Sequence, residues 1–320
     1  MKKFLSVVLA LILVLSLTAC GSKSAAAPAA DQGSAKPAEA AKKVSILTPY
    51  LSSVTTNQMV EAMKAGMTAK GMEVTVVDTK GDFAQLASRI EDVVSSKADA
   101  MVLVSADPTQ VQTQLQAAFD AGIPVFGRDS GFIDGMMVNA TSDNHAMGEL
   151  IAKYLFEDLM GKKGTVIALT HRPHPGVVKR CEAFDELIKQ YPDIKLITEQ
   201  HIEVPGPIEN ARKVMENLIL SNSQKDSITA VWCAWDEPAI GATQALQDAG
   251  RDEVIVTGVD GNSQAIELIN QGSNLKATVA QNFEGMAEIV VNEMAKMFAG
   301  EEIQKGEQYA QATIVTKSNQ

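Results

Sequence analysis

Two apolar periods alternate along most of this chain. Lys43 to Leu47 is a short apolar run that predicts a strand, and Thr55 to Lys70 carries Met59, Met63 and Met67 at helical spacing. Gly71 ends that helix, and Glu73 to Val77 alternates with period two. Asp82 to Ser95 sets Phe83, Leu86, Ile90 and Val93 on one helical face. Ala100 to Val104 is continuously apolar, the pattern of a strand buried on both faces. Val111 to Ala121 predicts a helix closed by Gly122, and Pro124 to Gly127 a strand ending on Arg128-Asp129. Strand and helix in strict alternation, with short links, predict a parallel sheet with right-handed crossovers.

After Thr141-Ser142-Asp143-Asn144 the alternation starts again. Helix Ala146 to Met160 leads to strand Thr165 to Leu169, helix Gly176 to Gln190 and strand Ile194 to Ile202. Helix Glu209 to Leu220, strand Ile228 to Cys233, helix Pro238 to Ala249 and strand Val254 to Gly258 complete the second set, which ends at Asp260. The correspondence extends to wording. The segment from Lys97 to Pro108 resembles that from Lys225 to Pro238, and each leads to a helix ending Asp-Ala-Gly, at 120–122 and 248–250. Both series then finish an apolar strand on an aspartate, Asp129 or Asp260.

The predicted class is therefore α/β, with two Rossmann-like lobes of parallel sheet. Ligands of open α/β sheets bind beyond the carboxyl ends of the strands. A single strand-ending aspartate is most simply a loop carboxylate. Two of them, at the same place in two lobes that face each other, point into one cleft. Neither belongs to a core-facing stripe, so folding is expected to survive the loss of either.

The first 42 residues fall outside this scheme. Lys2 and Lys3 precede an apolar run from Phe4 to Leu15, and Leu17-Thr18-Ala19-Cys20 follows. That order describes a secretory signal over residues 1–19, too short to span a bilayer as a helix. Its ending resembles the lipobox of bacterial lipoproteins, which makes Cys20 the expected site of lipid attachment. Residues 20–42, rich in Ala, Ser, Pro and Lys, bury too little to fold and read as a tether.

The net charge of -11 becomes about -13 once Lys2 and Lys3 are removed, and no basic stripe balances it, which argues against nucleic acid. Cys181 and Cys233, far apart, make neither a disulfide framework nor a zinc site and read as small buried residues. His171 and His174 have no third ligand at readable spacing, so they are expected in a solvent-facing loop, with no metal. Trp232 reads as core. Asp236-Glu237 sits at a helix start, where the helix dipole alone accounts for it. No nucleophile motif, phosphate loop or dinucleotide fingerprint occurs, so neither an enzyme nor a cofactor is expected.

From about Lys43 to Lys317 the chain resembles the sugar-binding proteins of the ribose-binding, type I periplasmic class, the solute receptors of ABC importers. The resemblance rests on an ordered set of segments. They are Asp120 to Asp129, Ser142-Asp143-Asn144, Arg180 to Phe184, Asp236 to Ala242, Gly258 to Gly261 and Ala277 to Gln281. It implies a multi-crossing hinge, with Ser142, Asp143 and Asn144 at the first crossing. The implied N-terminal lobe is 43–143 plus 281–306, and the C-terminal lobe 144–280 plus 307–320. It implies ligand contacts at Asp129, Arg180, Trp235, Asp260 and Gln281, with help from Ser53 and Asn57. Carboxylates and a guanidinium form strong charge-assisted bonds to hydroxyls, and an indole face suits the C–H side of a sugar.

The same resemblance implies an extracytoplasmic monomer that delivers a monosaccharide or polyol to a permease, held to the membrane by the lipid that the lipobox places on Cys20. A furanone signal, a nucleoside or another small polar solute, with a link to chemotaxis, is the alternative. Ribose receptors carry Asn in place of Trp235, Arg in place of Ser130, and Pro-Phe-Phe in place of Gln58-Met59-Val60. Those departures point to a ligand other than ribose. A repressor of this fold would need an N-terminal DNA-binding module, and signal and tether occupy that place.

Overall fold

Parallel strands dominate both sheets of the computed structural model, which describes residues 40–319. The expected signal and Cys20 lie outside the described residues. In the first sheet β1 (Lys43–Thr48), β2 (Glu73–Asp78), β3 (Ala100–Val104), β4 (Val125–Arg128) and β5 (Val138–Thr141) are joined by β11 (Gly306–Tyr309), in the order β11-β5-β4-β3-β1-β2. The second holds β6 (Gly164–Thr170), β7 (Ile194–His201), β8 (Ala230–Cys233), β9 (Ile255–Asp260), β10 (Leu275–Ala280) and β12 (Thr313–Thr316). Its order, β12-β10-β9-β8-β6-β7, repeats the first strand for strand. The edge breaks the symmetry, since β11 runs parallel to β5 whereas β12 runs antiparallel to β10.

Helices α1 (Val54–Ala69), α2 (Phe83–Ser95) and α3 (Gln112–Asp120) cross between the strands of the first sheet. Their apolar stripes are buried, Met59, Met63 and Met67 on α1 and Leu86, Ile90 and Val93 on α2. α2 starts where its pattern predicts, because Asp82 accepts from the Gln85 N–H at 2.9 Å. β3 is buried at every position, as a continuous apolar run between two helical layers requires.

The second sheet is covered by α4 (Asn144–Tyr154), α5 (Pro175–Leu187), α6 (Pro207–Ser221), α7 (Asp236–Asp248) and α8 (Ser263–Gln271). α9 (Phe283–Phe298) returns to pack on the first. The helix expected over 146–160 widens into a π-turn at Leu155–Leu159. Trp232 is fully buried and stacks on Phe184, with ring centroids 4.5 Å apart. Cys181 and Cys233 are free and buried.

α4 and α5 touch closely at Gly148. A Cβ placed there would lie 2.5 Å from the Arg180 carbonyl oxygen and 2.6 Å from its Cα, so only glycine lets the two backbones approach.

One expected boundary moves. Gly306–Tyr309 belongs to the first sheet, so the chain makes its last passage to the second after Tyr309 and not at 306/307. A short parallel edge strand carries little apolar signal, which is why the earlier point read as the end. Among the described residues no helix is long and apolar enough to cross a membrane.

Candidate ligand-binding site

The carboxyl ends of both sheets face one cavity, lined by residues of both lobes. Asp129 follows β4 and Asp260 ends β9, the equivalent strand of the other lobe. Both are about 96% buried and both hold a positive φ, 47° and 132°. Backbone in that region is uncommon outside glycine and concentrates at functional sites, where the surroundings hold it in place.

Arg180, on α5, organises the second lobe's side. Its Nε donates to Asn144 Oδ1 at 2.8 Å, and its Nη1 donates to the Ala234 carbonyl at 2.9 Å and to Asp260 Oδ1 at 3.2 Å. Gln281 Nε2 donates to the same Asp260 oxygen at 2.8 Å, while its buried Oε1 has no partner among the described residues. On the other side, Asn144 Nδ2 donates to Thr141 Oγ1 at 3.2 Å, and that hydroxyl lies 3.5 Å from Asp129 Oδ1. A relay of polar contacts therefore runs from Asp129 through the first crossing to Arg180 and Asp260. Burial raises both aspartates above the usual carboxylate range, and the Arg180 charge opposes that rise.

Of the residues expected at the site, Asp129, Arg180, Trp235, Asp260 and Ser53 line the cavity. Gln281 stands behind Asp260. Asn57 is exposed on α1 and does not line the cavity, because that helix turns Met59 and Val60 inward instead. Within the crossing, Asp143 caps α4 by accepting from the Ala146 N–H at 2.9 Å, and Ser142 is buried.

The histidines are not in a solvent-facing loop. His171 is 7% exposed, and both rings line the cavity. His174 caps α5, its Nδ1 accepting from the Gly176 N–H at 3.0 Å and the Val177 N–H at 3.3 Å. Its Nε2 lies 3.9 Å from Asp129 Oδ2. Burial, then the Arg180 charge, holds its pKa well below the ordinary value. A cap that accepts at Nδ1 needs a neutral ring, which the location enforces. Among the described residues no cluster of three metal-ligating side chains occurs.

One further residue escaped the sequence, and two that it noted have larger roles. Tyr50 is 7% exposed and packs edge-on against His171, centroids 5.7 Å apart, with burial pushing its hydroxyl up to about 12. It follows β1 as Asp129 follows β4, so the same strand-end rule nominates it. Asp236 and Glu237 do more than complement a dipole. Asp236 is buried and accepts from the Asn262 N–H and from Thr278 Oγ1, each at 2.7 Å. Glu237 is 2% exposed and lines the cavity.

Arg128 points away from the cavity, as strand alternation requires, and donates to the Phe283 carbonyl oxygen. It is fully buried, with no carboxylate at ion-pair distance among the described residues; burial lowers its pKa to about 9, and the Asp129 charge opposes that fall.

Comparison with known proteins decides the family. A model described as periplasmic binding protein domain matches residues 44–302. The chain belongs to that family. This periplasmic binding protein is 30% identical over 309 residues to the ribose import binding protein of Bacillus subtilis, covering 95% of this chain and 96% of the relative. It is 31% identical over 244 residues to the D-apiose import binding protein of Actinobacillus succinogenes, covering 74% and 76%. Among solved structures, an ABC transporter solute-binding protein from Agrobacterium vitis with bound allitol superposes with a TM-score of 0.80 at 29% identity, covering 87% and 96%. An ABC sugar transporter subunit from Rhodobacter sphaeroides gives 0.81 at 27%, covering 87% and 99%. The family places the protein outside the cytoplasm and among the substrate-binding components of ABC transporters.

Proposed function

We propose that this periplasmic binding protein receives an uncharged monosaccharide or polyol in the interlobe cavity and delivers it to an ABC import permease. One observation carries the reading. Two buried carboxylates from equivalent strands of the two lobes reach the same cavity, where Arg180 and Trp235 also stand.

Each carboxylate can accept from neighbouring hydroxyls, Arg180 can donate to a ring oxygen, and the indole offers an apolar face. Gln281 holds Asp260 in place. Three cavity carboxylates, those of Asp129, Glu237 and Asp260, face the single guanidinium of Arg180, which disfavours a phosphorylated sugar or a sugar acid. Closure about the ligand uses the crossings at Ser142-Asp143-Asn144, near Gln281 and after Tyr309.

A thermal-shift screen over ribose, D-apiose, xylitol, allitol, myo-inositol and ribose 5-phosphate tests this. At least one neutral compound raises the melting temperature, and the phosphate does not. A rise with the phosphate alone would overturn the assignment.

The Leu17 to Cys20 segment supports anchoring through lipid on Cys20, which needs more than one acyl chain to be stable. Cys20→Ala then releases a binding-competent protein into the medium. A mature chain beginning elsewhere than Cys20 would exclude the anchor.

A further inference from the structure

α1 begins without a cap of its own. Ser53 occupies the N-cap position but its side chain accepts nothing from the helix, and the first turn contains no acidic residue. The first N–H groups of any helix lack intrahelical partners, and the helix dipole places positive charge there. The missing acceptor comes from the other lobe. Glu237, in the first turn of α7, accepts from Ser53 Oγ at 2.8 Å through Oε2 and from the Val54 N–H at 3.0 Å through Oε1. Trp235 Nε1 donates to Oε2 from within Glu237's own lobe at 3.3 Å.

The carboxylate thus has three donors, two of which it owes to the facing lobe. Burial raises its carboxyl, and the contacts to Val54 and Ser53 oppose that rise. A buried carboxylate stripped of donors is costly, whereas the same group in water is not. Separating the lobes exchanges these two bonds for hydration of both Glu237 and the start of α1. The exchange is close to balanced and leaves a modest bias toward the joined arrangement.

We propose that Glu237 is a ligand-independent latch, a carboxylate of one lobe that caps α1 of the other and sets how much of the empty receptor is closed. It rests on the reading that the lobes separate about their crossings. A binding-competent closed state already populated without ligand strengthens the apparent affinity, because a ligand is penalised by the rarity of the state it selects. Ser53 then acts chiefly through Glu237.

The test uses no ligand. Spin labels on Ser88→Cys of α2 and Asn217→Cys of α6, both exposed helix positions in opposite lobes, report the interlobe distance in the Cys20→Ala chain. Cys181 and Cys233 are buried and remain unlabelled. The parent shows a closed population. Glu237→Gln, which keeps the shape but turns one acceptor into a donor, lowers the closed-to-open ratio about ten-fold. Ser53→Ala lowers it in the same direction, and the double variant falls short of the product of the two because they share one contact.

Circular dichroism checks that each variant is folded. An unchanged distance distribution in folded Glu237→Gln overturns the proposal. So does a weakened response to allitol with an unchanged ligand-free distribution, which would make Glu237 a direct ligand contact. Failure of every compound in the thermal-shift screen bears on the proposed ligand class and leaves this comparison intact.

Discussion

Asp129 and Asp260 end equivalent strands of two sheets, and only Asp260 is tied to a buried guanidinium by a direct bond, 3.2 Å from Arg180 Nη1. Asp129 has no such bond: the Arg180 and Arg128 charges act on it through space, and its neighbour at 3.9 Å is His174, whose ring the site keeps neutral. The pair is matched in position and unmatched in structural duty. Folding indifferent to both, as the sequence suggests, is therefore revised.

Asp129→Ala is expected to cost roughly 1.5–3 kcal/mol of ligand binding and to lower the ligand-free melting temperature less than Asp260→Ala does, because Asp129 acts on Arg128 and Arg180 through space and not through a direct bond. Asp260→Ala costs binding as well, and it also removes the charge partner of Arg180. Breaking a buried pair costs about 3–5 kcal/mol, so the ligand-free melting temperature should fall by several degrees. Calorimetry of the two empty variants decides the matter, and equal melting temperatures would refute the distinction.

The two tryptophans separate binding from packing. Trp235 lines the cavity, whereas Trp232 is stacked under the sheet on Phe184. Ligand-induced change in intrinsic fluorescence should persist in Trp232→Phe and largely vanish in Trp235→Phe. Trp235→Ala should also weaken binding by about 1 kcal/mol or more through lost contact area. A fluorescence response carried by Trp232 would contradict the assignment.

His174 makes stability depend on pH. Its folded pKa lies below the ordinary value of about 6.5 because of burial, Arg180 and His171. A depressed folded pKa means the unfolded chain binds the proton first. The contribution is complete above about 6.5 and is lost as pH falls below it. Asp129 and Asp260, raised by burial, act in the opposite sense, favouring the folded state as pH falls from neutrality. His174→Asn retains a capping acceptor and does not titrate. Urea unfolding at pH 7.5 and 5.5 should therefore show a smaller loss for the variant. Parallel losses would mean that His174 is not the titrating group.

Gly148→Ala should disturb the site from a distance. The added methyl meets the backbone of Arg180, so α5 must move away from α4. Overpacking of this kind costs about 1–3 kcal/mol of stability. It should weaken binding too, since the displaced residue holds Asn144, Ala234 and Asp260 together. Calorimetric titration with the compound found by the screen, alongside denaturant unfolding, would show whether both fall. Unaltered binding would indicate that α5 absorbs the methyl without moving Arg180.

Much of this was legible because parallel strands between helical layers write themselves as apolar runs with polar ends. The run Ala100–Val104 and the strand-ending Asp129 and Asp260 need no tertiary information to be seen. Tyr50 and His171 follow β1 and β6 closely and were recoverable by the same rule. The role of Glu237 was not. Its local sequence fits an ordinary helix start, and its partners lie 184 and 183 residues away in the other lobe. The place of β11 was hidden for a related reason, since four half-polar residues acquire strand character only from the edge of β5 that they complete.

That edge also bears on the order in which the molecule can be made. The first sheet is begun at Lys43 and finished at Tyr309, in a chain of 320 residues. Between those points lies nearly all of the second lobe. A chain that emerges amino end first cannot complete its first half until almost all of it has appeared, and pairing across such sequence separation is slow. Until the last part of the chain is available, the first lobe lacks both α9 and its edge strand, and its final assembly is coupled to the completion of the second lobe.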